Sequence, residues 1–377
     1  MEKKQLQRRE PRRPPKVSSA KNLRPRSTSR IPPKTTSRSI SKTGKKGLGE
    51  KIDMFCHILP PKTKEVFFKK AMPCNYIDTD SSRPALFDLE LRFRAMDQFE
   101  GLRQVLTLGL PPLEYVLSPG DASDLARMAN DEMAELVNKY PDRFVAAVAG
   151  LPLNDIDASL RETERAIREL KFKGIQIFSS INGKPLDRDE FMGLYEMMTG
   201  YDLPIWIHPA KDKIVPDYPD ETYSKYTLFT AFGWPYETTL AMARLVFSGI
   251  LEKYTKLKFI THHCGAMIPF FSKRVFLVRE GPEPGKGTPL TQPPLEYFKK
   301  FYADTVLGGS TPALMCGHTF FGADHLLFGS DYPYPGGPER GDVALGEVIR
   351  SVEMMDVTRE EKIRIFSKNA RRILHLS

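Results

Sequence analysis

Eight short apolar runs, separated by longer amphipathic stretches, constrain this chain more than any other feature. They are IDMFCHI (52–58), QVLTLGL (104–110), FVAAVAGL (144–151), GIQIF (174–178), PIWIH (204–208), KFITHH (258–263), FYADT (301–305) and HLLFGSD (325–331). Runs of this kind read as buried parallel strands. Between them the pattern turns helical: DASDLARMANDEMAELVNKY (121–140) opens on an Asp cap and carries apolar residues at helical spacing, as do 157–170, 237–254 and 341–355. Strand followed by helix, repeated, is α/β with a parallel sheet. Eight strands is the number that a closed (β/α)8 TIM barrel needs. A doubly wound open sheet is the structural alternative, but no glycine-rich phosphate loop follows an early strand. In a barrel, the long connections 61–100 and 209–236 would lie over the active-site face.

The start of the chain is different in kind. Its first fifty residues hold 16 of the 56 basic residues and 3 of the 47 acidic ones, a net of +13, so the remainder carries 40 basic against 44 acidic, a net of −4. The excess basicity belongs to the tail, and the folded part gives no reason to invoke nucleic acid. Residues 1–46 are almost without hydrophobic side chains and cannot offset their ordering entropy, which predicts a disordered basic Arg/Ser/Pro-rich tail. A transit peptide, an electrostatic patch and an extension from a mis-set start codon are competing readings of that tail. The single barrel domain is expected over 48–377. Four cysteines without a CxxC pair argue against a disulfide framework and for a reducing, cytoplasmic setting. No run approaches the ~18 apolar residues of a membrane span, and no apolar segment marks a secretory signal.

If the eight strands are right, the informative positions are their carboxyl ends. His57 ends the first and His208 the fifth, while His262 and His263 end the sixth. Asp304 lies at the end of the seventh, and Asp331 ends the eighth. Four of the seven histidines fall at these ends. Any one of them reads as an ordinary core histidine, but four on one rim with two aspartates are hard to explain by packing. Imidazoles and a carboxylate form the ligand set of Zn²⁺ or a similar divalent ion. His57, His208 and Asp331 would supply three ligands and leave a position open for water or substrate.

At these residues the sequence resembles a known family. The segments IDMFCHILPP (52–61), PIWIHPA (204–210), FITHHCGAMIPFFSKR (259–274), YADT (302–305) and LLFGSDYPYP (326–335) resemble the branch of the amidohydrolase superfamily that contains aminocarboxymuconate semialdehyde and resorcylate decarboxylases. The closing IFSKNARRILHL (365–376) resembles that family's terminal helix. The resemblance implies that His57 is the second histidine of the strand-1 HxH motif and His208 the strand-5 ligand. It implies that Asp331 binds metal and handles a proton. Counting six residues back from Pro269 assigns the catalytic histidine to His263, with His262 as its neighbour. It also implies one divalent metal, Zn with Mn as the alternative, a small-molecule substrate and a homodimer.

One position departs from the pattern: Phe55 stands where the family carries histidine or glutamate. Residues i and i+2 share a face of a strand, so Phe55 is expected in the metal pocket, unable to coordinate. Cys56, on the opposite face, reads as a buried hydrophobe. The site then either keeps its metal with one ligand fewer or has lost it.

The leading expectation is metal-assisted, non-oxidative decarboxylation of a small carboxylated substrate, a carbon–carbon lyase reaction, with His263 as general acid/base. Metal-dependent hydrolysis of an amide, ester or lactone uses the same constellation. A degenerate barrel kept for binding is the non-enzymatic alternative, against which stand four polar groups in costly positions. Arg274 is expected to reach a substrate carboxylate, or else to lie on the surface of the helix after the sixth strand. Trp234, in GWPYET (233–238), is expected in the pocket wall, or simply packs a helix start whose first turn holds Glu237. Asp304 is expected to orient a histidine.

Overall fold

The computed structural model describes residues 47–75, 77, 81–109, 111–278, 288–336 and 341–376; the expected tail over 1–46 and Leu110 of the second run lie outside them. Seven of the eight apolar runs form strands: β1 Lys51–Ile58, β2 Leu102–Leu108, β3 Phe144–Ala147, β4 Ile175–Phe178, β5 Ile205–His208, β6 Phe259–Thr261 and β7 Tyr302–Ala303. A helix follows almost every strand, among them α1 Leu89–Met96, α2 Pro119–Lys139, α3 Ile156–Arg168, α4 Met192–Tyr201, α5 Trp234–Phe247, α6 Thr311–Phe321 and α7 Gly341–Glu353. Their starts are written locally. Ser118 caps α2, Asp155 caps α3 and Ser310 caps α6, each side chain accepting a first-turn backbone N–H.

The architecture is α/β with parallel sheets. Regular ladders join β1–β2–β3 and β4–β5–β6–β7, all parallel. Isolated parallel bridges connect Ala149 to Ile175, Ala303 to Leu326 and Cys56 to Tyr332.

The eighth run is not the regular strand its apolar pattern predicts. It crosses between β7 and β1 in extended but broken fashion: Leu327 N–H donates to Ala303 O at 2.9 Å, Met54 N–H to Phe328 O at 2.8 Å and Asp331 N–H to Phe55 O at 2.7 Å. The buried Asp53 carboxylate accepts from Ser330 N at 2.9 Å and from Phe55 N at 3.3 Å, so a side chain occupies donors that a ladder would use. Asp331 then turns into the left-handed region, φ 61°. A Cβ at Gly329 would stand 3.1 Å from the Cβ atoms of both Asp304 and Phe55, so a side chain there would crowd both neighbouring strands.

The largest core cluster lies between strands and helices, with Leu106, Ile177, Ile205 and Phe259 among the strand residues and Met133, Leu194, Leu245 and Leu314 among the helical ones. A second cluster joins Val105, Trp206, Ile260 and Leu327 to Ala370, Ile373 and Leu374 of the closing helix. Trp206 Nε1 donates to Met54 O at 2.8 Å there, satisfying the indole inside the apolar cluster.

Candidate metal centre and active site

The strand ends bring His57, His208, His262 and Asp331 together, all buried, with one ligand atom from each within 4.8 Å of all the others. Among the described residues no other group of three or more His, Cys, Asp and Glu side chains does this.

Each imidazole is oriented by what its Nδ1 meets. Thr107, paired in register with His57, donates its hydroxyl to Cys56 O at 2.9 Å and therefore accepts from His57 Nδ1 at 3.1 Å. His208 Nδ1 faces the Pro209 carbonyl at 2.7 Å, which makes it a donor. His262 Nδ1 donates to the fully buried Asp304, whose other oxygen accepts from Cys264 N and Val306 N at 3.0 Å each.

With the Nδ1 positions occupied, each Nε2 is left for the centre. His57 Nε2 lies 3.1 Å and His262 Nε2 3.4 Å from the same Asp331 Oδ1. His208 Nε2 is buried and has no hydrogen-bond partner. A neutral His57 with its proton on Nδ1 would oppose Asp331 acceptor to acceptor, so a cation, a proton or a metal ion, belongs between them. Three imidazoles anchored at Nδ1, two of them facing one carboxylate through Nε2, is the arrangement in which outer partners orient metal ligands. The donor set fits a borderline divalent ion.

The electrostatics set His208 and His262 apart. Burial pushes His208 well below the ordinary histidine value, and the charges of His262 and His57 add to it, so it presents a lone pair at neutral pH. Burial also works against a charge on His262, but the Asp304 and Asp331 carboxylates outweigh it and raise it to about 9. For Asp331 burial pushes upward, yet hydrogen bonds from His262 and His57 hold the carboxyl far below the usual range.

The two strand-6 histidines part company at the end of β6. His262 is the last extended residue; His263, Cys264, Gly265 and Ala266 then run through four consecutive positive φ values, 55°, 55°, 71° and 54°. His263 therefore stays outside the cluster, its ring 4.1 Å from that of His262 and 6.4 Å from Trp234. The imidazole that faces Asp331 is that of His262, with His263 beside it.

Phe55 lies among the histidines as its strand face requires. Its ring stacks on His262 at 4.1 Å and lies 5.8 and 5.9 Å from the rings of His57 and His208. Cys56 turns into the core, its thiol 3.2 Å from Val105 O. Trp234, at the start of α5, donates Nε1 to Lys211 O at 3.0 Å and sets its ring 5.8 Å from that of His208. Glu237, one turn on, has its carboxyl raised by burial and lines a separate cavity. Arg274 is exposed in the turn Ser272–Leu277 and lines neither cavity.

A cavity of about 640 Å³ opens above Asp331, walled by Trp234, Phe229, Tyr223 and Tyr334, with Arg83, Lys213 and Lys225 as cations. Tyr334 reaches the centre, its ring 5.1 Å from that of His57, and the Arg83 guanidinium lies 5.5 Å over the Tyr334 ring. Arg83 Nε and Nη1 are buried without a hydrogen-bond partner. Sequence reasoning missed Arg83, which sits in the long 61–100 connection where no periodicity marks it. Thr107 was missed too, although a polar residue at the carboxyl end of the second strand was a usable signal.

The amidohydrolase family profile matches residues 52–376. The 2-amino-3-carboxymuconate-6-semialdehyde decarboxylase of Dictyostelium discoideum is 29% identical over 340 residues, covering 83% of this chain and 89% of that protein. The gamma-resorcylate decarboxylase of a Polaromonas species is 30% identical over 68% of this chain and 81% of its own length. Among solved structures, the 5-carboxyvanillate decarboxylase of Novosphingobium aromaticivorans, complexed with manganese and 4-hydroxy-3-methoxy-5-nitrobenzoic acid, superposes with a TM-score of 0.72 at 26% identity, over 87% of this chain and 96% of that one. With a family match running from the first strand to the closing helix, the chain is an enzyme of the amidohydrolase family.

Proposed function

We propose that this enzyme is a metal-dependent, non-oxidative decarboxylase of a small carboxylated aromatic acid. The observation that carries the reading is the gathering of three imidazoles and the buried Asp331 beneath an aromatic cavity lined by Arg83, two of whose guanidinium nitrogens have no hydrogen-bond partner. His57, His208 and Asp331 would hold the ion, Zn²⁺ by ligand type or Mn²⁺ as in the Novosphingobium relative. When bound, the metal supplies Lewis acidity to the substrate's oxygens.

The protein's own residues do the rest. Arg83, rather than the exposed Arg274, is the group we assign to the substrate carboxylate, because two buried guanidinium nitrogens without acceptors call for an anion. Trp234 and Tyr334 give the aromatic ring its walls. In the reaction the bond between ring carbon and carboxylate breaks, CO₂ leaves, and the ring carbon takes a proton. His263, beside the cluster, and Asp331 are the groups we assign to its delivery.

The remaining parts of the reading are proposals of the same standing. The bridges between the two sheets support their closure into one (β/α)8 barrel over residues 48–377. The buried thiols of Cys56 and Cys264, and the absence among the described residues of a helix able to cross a membrane, are compatible with a cytoplasmic enzyme. The exposed Phe270 and Phe271 offer a surface for a homodimer.

The test is product analysis. Metal-reconstituted enzyme is incubated in D₂O with ring-hydroxylated benzoates, and separately with aryl esters, amides and lactones. CO₂ released one-for-one with product carrying deuterium at the vacated ring carbon supports the reading. Turnover of esters or lactones without CO₂ would replace it with hydrolysis.

A further inference from the structure

Three ligands leave the fourth member of the cluster without a task. His262 is tied as the other two histidines are, with Nδ1 on a buried acceptor and Nε2 turned to Asp331. At 3.4 Å that Nε2 is longer than a good charge-assisted hydrogen bond to the carboxylate, yet it belongs to the set within 4.8 Å. Phe55 lies flat on the ring at 4.1 Å and 23°. The phenyl group thus does two things: it removes a ligand from β1, and it fixes the imidazole plane on the neighbouring strand end. Asp304, which anchors that imidazole, is itself held by two backbone donors. A ring so fixed, with one nitrogen directed at the centre, is arranged as a ligand rather than as a mobile proton carrier.

We propose that His262 takes the coordination place that Phe55 leaves empty, making the centre of this chain three imidazoles, from His57, His208 and His262, and the Asp331 carboxylate. The inference rests on the metal-dependent reading above. Proton delivery then belongs to His263 and Asp331. His263 is the adjacent imidazole, with its Nδ1 buried and unpartnered and its ring 6.4 Å from the cavity wall at Trp234.

Metal stoichiometry and affinity of the full chain decide the matter, with Zn²⁺ and Mn²⁺ as probes and unfolding curves as a check on each variant. The wild type should bind one ion, and His262→Asn should lose roughly tenfold or more in affinity, the scale on which groups that hold a metal act. His263→Asn should bind metal as the wild type does while turning over more slowly. Adding Phe55→His to His262→Asn should restore binding by supplying the ligand from β1. If His262→Asn keeps wild-type affinity and loses only turnover, His262 is an acid/base group; the proposal falls and the metal reading stands. A wild type that takes up no ion overturns both. Should His262→Asn fail to fold, Phe55→His alone decides. With His262 already a ligand the added histidine changes affinity by less than about threefold, whereas a gain of roughly tenfold shows the place was empty.

Discussion

Asp304→Asn tests the centre through a residue that touches neither metal nor substrate. Asp304 is fully buried and divides its oxygens: one accepts from Cys264 N and Val306 N at 3.0 Å each, the other from His262 Nδ1. Asparagine can keep its carbonyl on the two backbone donors, so the loop after β6 should hold. Its amide NH₂ then faces His262 Nδ1, donor to donor unless the imidazole changes tautomer. With Nδ1 as acceptor the proton moves to Nε2, which can no longer offer a lone pair to the centre. Outer-partner losses of this kind cost about 10- to 100-fold in metal affinity or activity, or about 1.4–2.8 kcal/mol. The assay is metal binding by competition with a chelating indicator, beside a thermal unfolding curve. A folded Asp304→Asn protein with wild-type metal affinity and wild-type turnover would refute the argument from the anchored imidazole.

Three further changes read other parts of the structure. Arg83→Gln removes the guanidinium of the cavity and should raise KM for a carboxylated substrate by roughly 10- to 100-fold, the worth of a charge-assisted hydrogen bond, with kcat changed far less; an unaltered KM would put the carboxylate elsewhere. Arg92 is fully buried and donates to Gln104 Oε1 at 2.8 Å, to Ala85 O at 3.2 Å and to the His57 carbonyl, so Arg92→Met should cost about 3 kcal/mol through stranded acceptors, seen as a lower denaturant midpoint. Glu114 is buried with no donor from another residue on its carboxyl, and burial raises its pKa to about 8 from an ordinary 4.5. Between those values the folded state binds more protons than the unfolded one, so stability falls as pH rises through that window. Glu114→Gln should flatten the slope, and equal slopes would contradict the assignment.

What the sequence made legible divides by physical cause. The α/β order was readable because buried parallel strands are continuous apolar runs, and seven of the eight formed where expected. The eighth has the same apolar texture, but Asp53 bonds to its backbone and the left-handed turn at Asp331 breaks its ladder; neither effect has a periodicity. Phe55 was predictable in direction, since two residues along a strand is the same face. The choice between His262 and His263 depended on the path of the chain between Thr261 and Pro269. Four consecutive positive φ values set that path, and no periodicity encodes them. Arg83 is brought to the cavity by a long connection whose course no local pattern encodes, and Arg274, plausible by type and place, points to solvent.

In the function proposed above, the chemistry depends on one divalent ion held at the strand ends. The direct measurement strips the wild-type enzyme with a chelator and titrates Mn²⁺ or Zn²⁺ back while recording bound metal and CO₂ release together. The account predicts one ion per chain, with activity rising in proportion and saturating at that point. Full CO₂ release by metal-free protein would contradict it.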